Sequence, residues 1–256
     1  MSTSVLYAAL GTGFTFLMTV LGAAIVLVFG NILSSRFEKL FNGFAAGVMM
    51  AASVWSLIIP AFERVVASGK NPVFVIIAGI ISGIVFLLGF DLAFDIVLSK
   101  KRINYKKGMY MSVFAVTLHN IPEGVAVALA FVLAVMQNEK ALMVAAVSLA
   151  IGIGIQNIPE GAAISIPMRS SGLSKTKSFI LGSLSGIVEP IFGIAAVFIF
   201  GFANAVLPFM LCFAAGAMIY VVAEELLPNA KDEHSKIGTL GFMCGILIMM
   251  ILDISL

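Results

Sequence analysis

Two short phrases in this chain carry groups able to hold a cation: TLHNIPEG at Thr117–Gly124 and IQNIPEG at Ile155–Gly161. On a helix, His119 and Glu123 stand four residues apart and share a face, with Asn120 three residues before Glu123. Gln156 and Glu160 repeat the spacing of four, and Asn157 and Glu160 the spacing of three. A third acid, Glu189 in IVEPIFG, is also followed by proline. Pro122 and Pro159 cannot donate a backbone hydrogen bond, which would free the carbonyls of Leu118 and Ile155. One imidazole, two or three carboxylates and amide oxygens suit a divalent cation of borderline or hard character, such as Zn²⁺, Fe²⁺ or Mn²⁺. No thiolate or methionine cluster joins the set, so Cu⁺ fits it poorly. Two glutamates and one divalent ion sum to zero charge. Gly124 and Gly161 would let a neighbouring helix come close.

The elements that carry these groups are membrane spans. The chain is 61% hydrophobic and 11% charged, with a mean hydropathy of +1.13, whereas a soluble domain carries about a quarter charged residues. A bilayer core takes roughly 20 apolar residues per helix. Polar and Gly/Pro clusters cut the sequence into eight such stretches, near 4–29, 40–62, 72–98, 109–136, 141–166, 177–202, 205–228 and 236–254. The expectation is a single all-α integral membrane domain over 1–256, with eight transmembrane helices. Glu123 and Glu189 fall at the centres of their spans and Glu160 somewhat beyond the centre of its own. A charge at a helix centre costs about 2.5–3.5 kcal/mol on the insertion scale, so intramembrane acids are functional by default. The bland alternative is a structural hydrogen-bond network. Cys212 and Cys244 sit in apolar runs and read as small buried hydrophobes.

Twelve of the fifteen Lys and Arg residues fall on one side, in connections 1–2, 3–4, 5–6 and 7–8; the other side holds Arg64, Lys70 and Lys140. Cytoplasmic loops are enriched in Lys and Arg. The predicted topology is therefore multi-pass in the cell (plasma) membrane, with both termini outside. GTGFTFLMTVLGAAIVLVFG at 11–30 aligns on GSLSGIVEPIFGIAAVFIFG at 182–201, and FAAGVM from Phe44 echoes FAAGAM from Phe213. These matches map spans 1 and 2 onto 6 and 7 in opposite directions. They predict an inverted repeat of spans 1–3 and 6–8 around a central 4–5 pair, a common secondary-transporter plan with a site near the midplane.

HNIPEG in a fourth span, QNIPEG in a fifth and eight spans with both ends outside resemble the ZIP (Zrt-/Irt-like) family of divalent metal transporters, in its short bacterial-type branch. The resemblance implies transport of zinc, and also of iron, manganese or cadmium, toward the cytoplasm, with the metal as substrate and no cofactor. It implies a first metal position of His119, Glu123, Gln156 and Glu160. The second would use Asn120, Asn157 and Glu189, with Glu123 and Glu160 bridging. Some relatives carry aspartate where this chain has Asn157, which should weaken the second position. The family is held to move spans 1, 4, 5 and 6 against 2, 3, 7 and 8.

Asp91, Asp95, Glu224 and Glu225, near the cytoplasmic ends of spans three and seven, are candidates for an exit path; interfacial acids paired with lysines are the plainer reading. Glu63 beside Arg64 reads as a solvated helix end, and His234 as a loop residue. The expected partners are divalent metal ions and the lipid bilayer, with no nucleic acid. Glycine-rich faces such as GAAIVLVFG would serve a homodimer or packing within one chain. An intramembrane metal-dependent hydrolase is the rival from another class, but HNIPE is not HExxH and a hydrolase needs no second copy of its motif. A cation channel is the other rival. Strong midplane ligands favour saturable binding instead.

Overall fold

A computed structural model describes residues 2–29, 35–99, 105–200, 205–231 and 235–255, without the side chains of 2, 29, 35, 94–99, 105–112, 114–116, 119, 200 and 255. Eight helices are long and apolar enough to cross a membrane, and among the described residues there is no strand. The first span is Ser2–Phe29. The second runs as Ser35–Ala52, a π-helical turn Ser53–Ile58, and Ile59–Ala67. The third is Pro72–Ser99, the fourth Tyr105–Gln137 and the fifth Lys140–Ser170. The sixth is Lys175–Ser185 and then Val188–Phe200; the seventh is Leu207–Val221, a π turn Val222–Leu226, and Leu227–Ala230; the eighth is Ile237–Ser255.

These match the predicted stretches to within a few residues, the helices overrunning where charged side chains extend them past the apolar run. The junction near Asn204 lies outside the described residues. Gly69 and Gly172, at φ 72° and 99°, turn the chain after the second and fifth spans, and Asn138, at φ 52°, does so after the fourth. Glycine and asparagine are the residues that accept the left-handed region at least cost.

Three features differ from the sequence expectation. The helices pass through Pro122, Pro159 and Pro167 without a break, yet the sixth span is interrupted at Gly186 and Ile187. The other two are the π turns, frequent at functional sites. One begins nine residues after Phe44 and the other nine residues after Phe213, so both keep the same distance from their copy of FAAG.

Glycines sort the spans into two groups. A Cβ on Gly22 would collide with the backbone of Ile158, one on Gly161 with that of Thr19, and one on Gly124 with that of Glu189. A Cβ on Gly182 would meet Gly161 O at 3.1 Å, and together these contacts lock spans 1, 4, 5 and 6. Gly43, Gly47, Gly241 and Gly245 seal spans 2 and 8 in the same manner, Gly79, Gly83 and Gly216 seal spans 3 and 7, and Gly238 against the Ala230 backbone joins span 8 to span 7. Gly152, at the meeting of spans 5, 8 and 2, faces only side chains, those of Met249 and Val48. The packing at Gly22 engages one end of the GAAIVLVFG face within the chain.

The bundle keeps its polar side chains inside. Thr12, Thr15, Thr19, Asn120, Glu123, Gln156, Asn157 and Glu189 are buried, whereas Leu10, Leu17, Leu21, Ile77, Ile81, Leu247 and Ile251 are exposed. Apolar residues also fill the interior away from this cluster, Leu129, Leu149, Ile153 and Met218 among them.

Candidate metal centre

The break in the sixth span sets up the site. In a continuous helix the Ser185 carbonyl would accept from the amide of residue 189, but the Glu189 N–H bonds Gly186 O at 3.1 Å. Pro190 has no N–H of its own to offer. The freed Ser185 carbonyl accepts from Asn120 Nδ2 at 3.2 Å, which ties the break to the fourth span. Glu189 then falls in the first turn of Val188–Phe200, where the helix dipole favours a carboxylate.

Three side chains join Glu123 and Glu189 into one network. Gln156 Nε2 donates to Glu123 Oε1 at 2.8 Å and to Asn157 Oδ1 at 2.7 Å. Asn157 Nδ2 donates to Glu189 Oε1 at 3.0 Å and to Thr15 O at 3.2 Å. The Thr19 hydroxyl reaches the same Glu189 oxygen at 3.3 Å. All four amide protons are therefore used, which fixes both amide orientations by their partners. Glu123 and Glu189 are 2% and 0% exposed, yet Glu123 Oε2, Glu189 Oε2 and Asn120 Oδ1 meet no donor. A buried acceptor left unmatched costs about 1–3 kcal/mol, more if charged. Three of them on neighbouring spans form an oxygen set that a cation would satisfy. The acids also lie close enough to repel one another, Glu123 with Glu189 and Glu160 with both.

Glu160 is half-buried and faces a cavity of about 360 Å³ that begins at Glu123 and Gln156. The cavity continues past Pro167, Asn42 and Glu225 to Glu38 and Asn229, both exposed. It thus reaches the face that carries connections 1–2, 5–6 and 7–8.

Six of the seven expected centre residues are thereby placed together: Asn120, Glu123, Gln156, Asn157, Glu160 and Glu189. The side chain of His119 lies outside the described residues; its backbone is in the fourth span. Among the described residues no three carboxylate, thiol or imidazole groups already stand as a ligand cluster for one ion, because the amides of Gln156 and Asn157 are interposed. Of the exit-path candidates, Glu225 lines the cavity and Glu224 is exposed. Asp91 Oδ2 instead accepts from the Tyr220 hydroxyl at 2.7 Å, tying span three to span seven. The Asp95 side chain and His234 lie outside the described residues. Glu63 is exposed, as a solvated helix end should be. Thr15 and Thr19 were not legible as site residues. Their signal is a threonine at 12, 15 and 19, one face of an otherwise apolar helix.

Residues 98–253 match the family described as ZIP Zinc transporter. Zinc transporter ZIP11 of Homo sapiens is 32% identical, covering 99% of this chain and 98% of its own length. Zinc transporter GufA of Myxococcus xanthus is 36% identical, over 93% of this chain and 94% of its own. Zinc transporter ZIPB of Bordetella bronchiseptica is 32% identical, over 98% and 81%.

Proposed function

The chain belongs to the ZIP family of metal transporters, and from that premise we propose that it carries zinc through a midplane site built by its fourth, fifth and sixth spans. Membership makes it a multi-pass membrane protein that moves divalent metal ions and is not an enzyme; the metal is its substrate, not a cofactor.

The observation that carries the finer reading is the set of buried, unmatched oxygens on Glu123, Glu189 and Asn120, of which Glu123 also lines the cavity. His119, Glu123, Gln156 and Glu160 hold the first ion, Gln156 turning its amide oxygen inward to do so. Asn120, Asn157 and Glu189 make the second position, with Glu123 and Glu160 shared. Iron, manganese and cadmium fit the same donors. Transport runs toward the cytoplasm, since the face reached by the cavity is the one rich in Lys and Arg. Glu225, with Asn42 and Asn229, forms the way out. Both termini are outside the plasma membrane, and the exposed apolar residues of spans 1, 3 and 8 face lipid. The glycine seams within spans 1, 4, 5 and 6 and within spans 2, 3, 7 and 8 support a movement of one group against the other.

The test is metal flux into liposomes containing the purified chain. Saturable zinc entry that Glu123→Ala abolishes is the expected result. Normal entry through the Glu123→Ala protein would refute the site, and flux that rises without saturating would replace the carrier by a channel.

A further inference from the structure

Thr12, Thr15 and Thr19 of the first span are all 0% exposed. A threonine inside a helix ordinarily returns its hydroxyl proton to the carbonyl one turn back, as Thr12 does to Ala8 O at 2.7 Å. Thr19 is placed differently. Its hydroxyl stands 3.4 Å from Thr15 O and 3.3 Å from Glu189 Oε1. Thr15 O already accepts from Asn157 Nδ2 at 3.2 Å, and a carboxylate is the stronger acceptor. The proton therefore belongs to Glu189. With Asn157 Nδ2 at 3.0 Å on the same atom, Glu189 Oε1 receives two donors while Oε2 receives none.

A carboxylate's terminal torsion is broad and two-fold, so a single donor leaves it free to swing. Two donors on one oxygen fix it. Thr19 is itself held firmly: a Cβ on Gly186, at the break in the sixth span, would stand 2.8 Å from Thr19 Oγ1 and 2.9 Å from its Cβ. The backbone of the fifth span presses on the Thr19 carbonyl from the other side, at Gly161.

We propose that Thr19 is a positioning residue for metal transport: together with Asn157 it pins Glu189 Oε1, so that Oε2 is presented to the cation. The inference rests on Glu189 belonging to the metal centre. Span 1, which supplies no ligand, thereby sets the geometry of one.

The test compares Thr19→Val, which removes the hydroxyl at nearly constant volume, with Thr19→Ser, which keeps the hydroxyl and loses the methyl. Initial zinc uptake by the full chain in liposomes is measured against zinc concentration, with Glu189→Gln alongside. A hydrogen bond to a charged group is worth about a tenfold change in affinity. Thr19→Val should therefore raise KM about tenfold at little change in maximal rate, and Thr19→Ser should stay near the parent. A parental KM for Thr19→Val with an impaired Glu189→Gln would overturn the role of Thr19 and leave the site standing. Parental behaviour of Glu189→Gln itself would remove Glu189 from the site, and the inference with it. A parental Thr19→Val beside an impaired Thr19→Ser would show that the methyl group matters and the hydroxyl does not. Should Thr19→Val not fold, Thr19→Ala replaces it: a larger loss in Ala than in Ser supports the hydroxyl's role, and equal losses in the two overturn it.

Discussion

Replacing Asn157 by aspartate changes a double donor into an acceptor without changing its shape. Asn157 Nδ2 lies 3.0 Å from Glu189 Oε1 and 3.2 Å from Thr15 O. An aspartate oxygen there would face a carboxylate and a carbonyl. Two unit charges about 4 Å apart repel by about 4 kcal/mol at an effective dielectric constant of about 20. Loss of the charge-assisted hydrogen bond adds about 1.5–3 kcal/mol. Gln156 Nε2 still donates to the remaining oxygen, as it does now at 2.7 Å, and a charged acceptor strengthens that bond by about 1 kcal/mol. The net penalty in chelator is about 5 kcal/mol, comparable to the whole stability of a marginal fold. A divalent ion between residues 157 and 189 reverses the sign of the interaction. Purified Asn157→Asp protein should unfold at a lower temperature than the parent in chelator and recover in Cd²⁺. It should also bind about one more Cd²⁺ per chain by elemental analysis, in keeping with a stronger second position. Unchanged unfolding in chelator together with unchanged Cd²⁺ content would refute the reasoning, since residue 157 would then not confront Glu189.

Alanine at Glu160 should abolish zinc uptake in liposomes with membrane insertion intact, whereas His119→Ala should lower affinity and shift the preference among metals, both read from competition uptake assays. Metal binding requires ionised carboxylates and a neutral imidazole, so zinc affinity should fall as pH drops from about 7.5 to 5.5, around the ordinary histidine range. Calorimetry in buffers of different ionisation enthalpy counts the released protons, and a buffer-independent enthalpy with flat affinity would contradict this. Gly161→Ala forces a Cβ to within 2.8 Å of Ala23 N and should destabilise the protein by about 1–3 kcal/mol, seen as a lower unfolding midpoint.

The spans and the paired acids were legible because both depend on periodic signals: apolar runs of bilayer length, and acids repeated at helical spacing. The role of the amides was harder to read. Gln156 and Asn157 read as oxygen donors, but a carboxamide carries N–H donors as well, and here those protons hold Glu123 and Glu189. Which end points inward depends on neighbours from other spans. Proline was equally ambiguous: Pro122 and Pro159 sit inside continuous helices, whereas Pro190 follows a break. The difference lies in Gly186, seated against Thr19, and in Asn120, which captures the released Ser185 carbonyl. The partnership of Asp91 with Tyr220 spans 129 positions. No local pattern announces it.

The π turn in the seventh span has a bearing on how that helix addresses two surroundings. An α-helix advances about 100° per residue, so the wider π turn acts as a phase shifter between the parts on either side. Before it, Ala214, Ala215 and Ala217 fill the interior; within and after it, Glu225 and Asn229 meet the cavity. Ordinary helical hydrogen bonding through Val222–Leu226 at its present length would turn Asn229 by about 100° away from the cavity wall, whereas deleting one residue there would remove the π turn and keep Asn229 facing the cavity. In that segment the π turn, more than side-chain identity, sets which groups face the cavity.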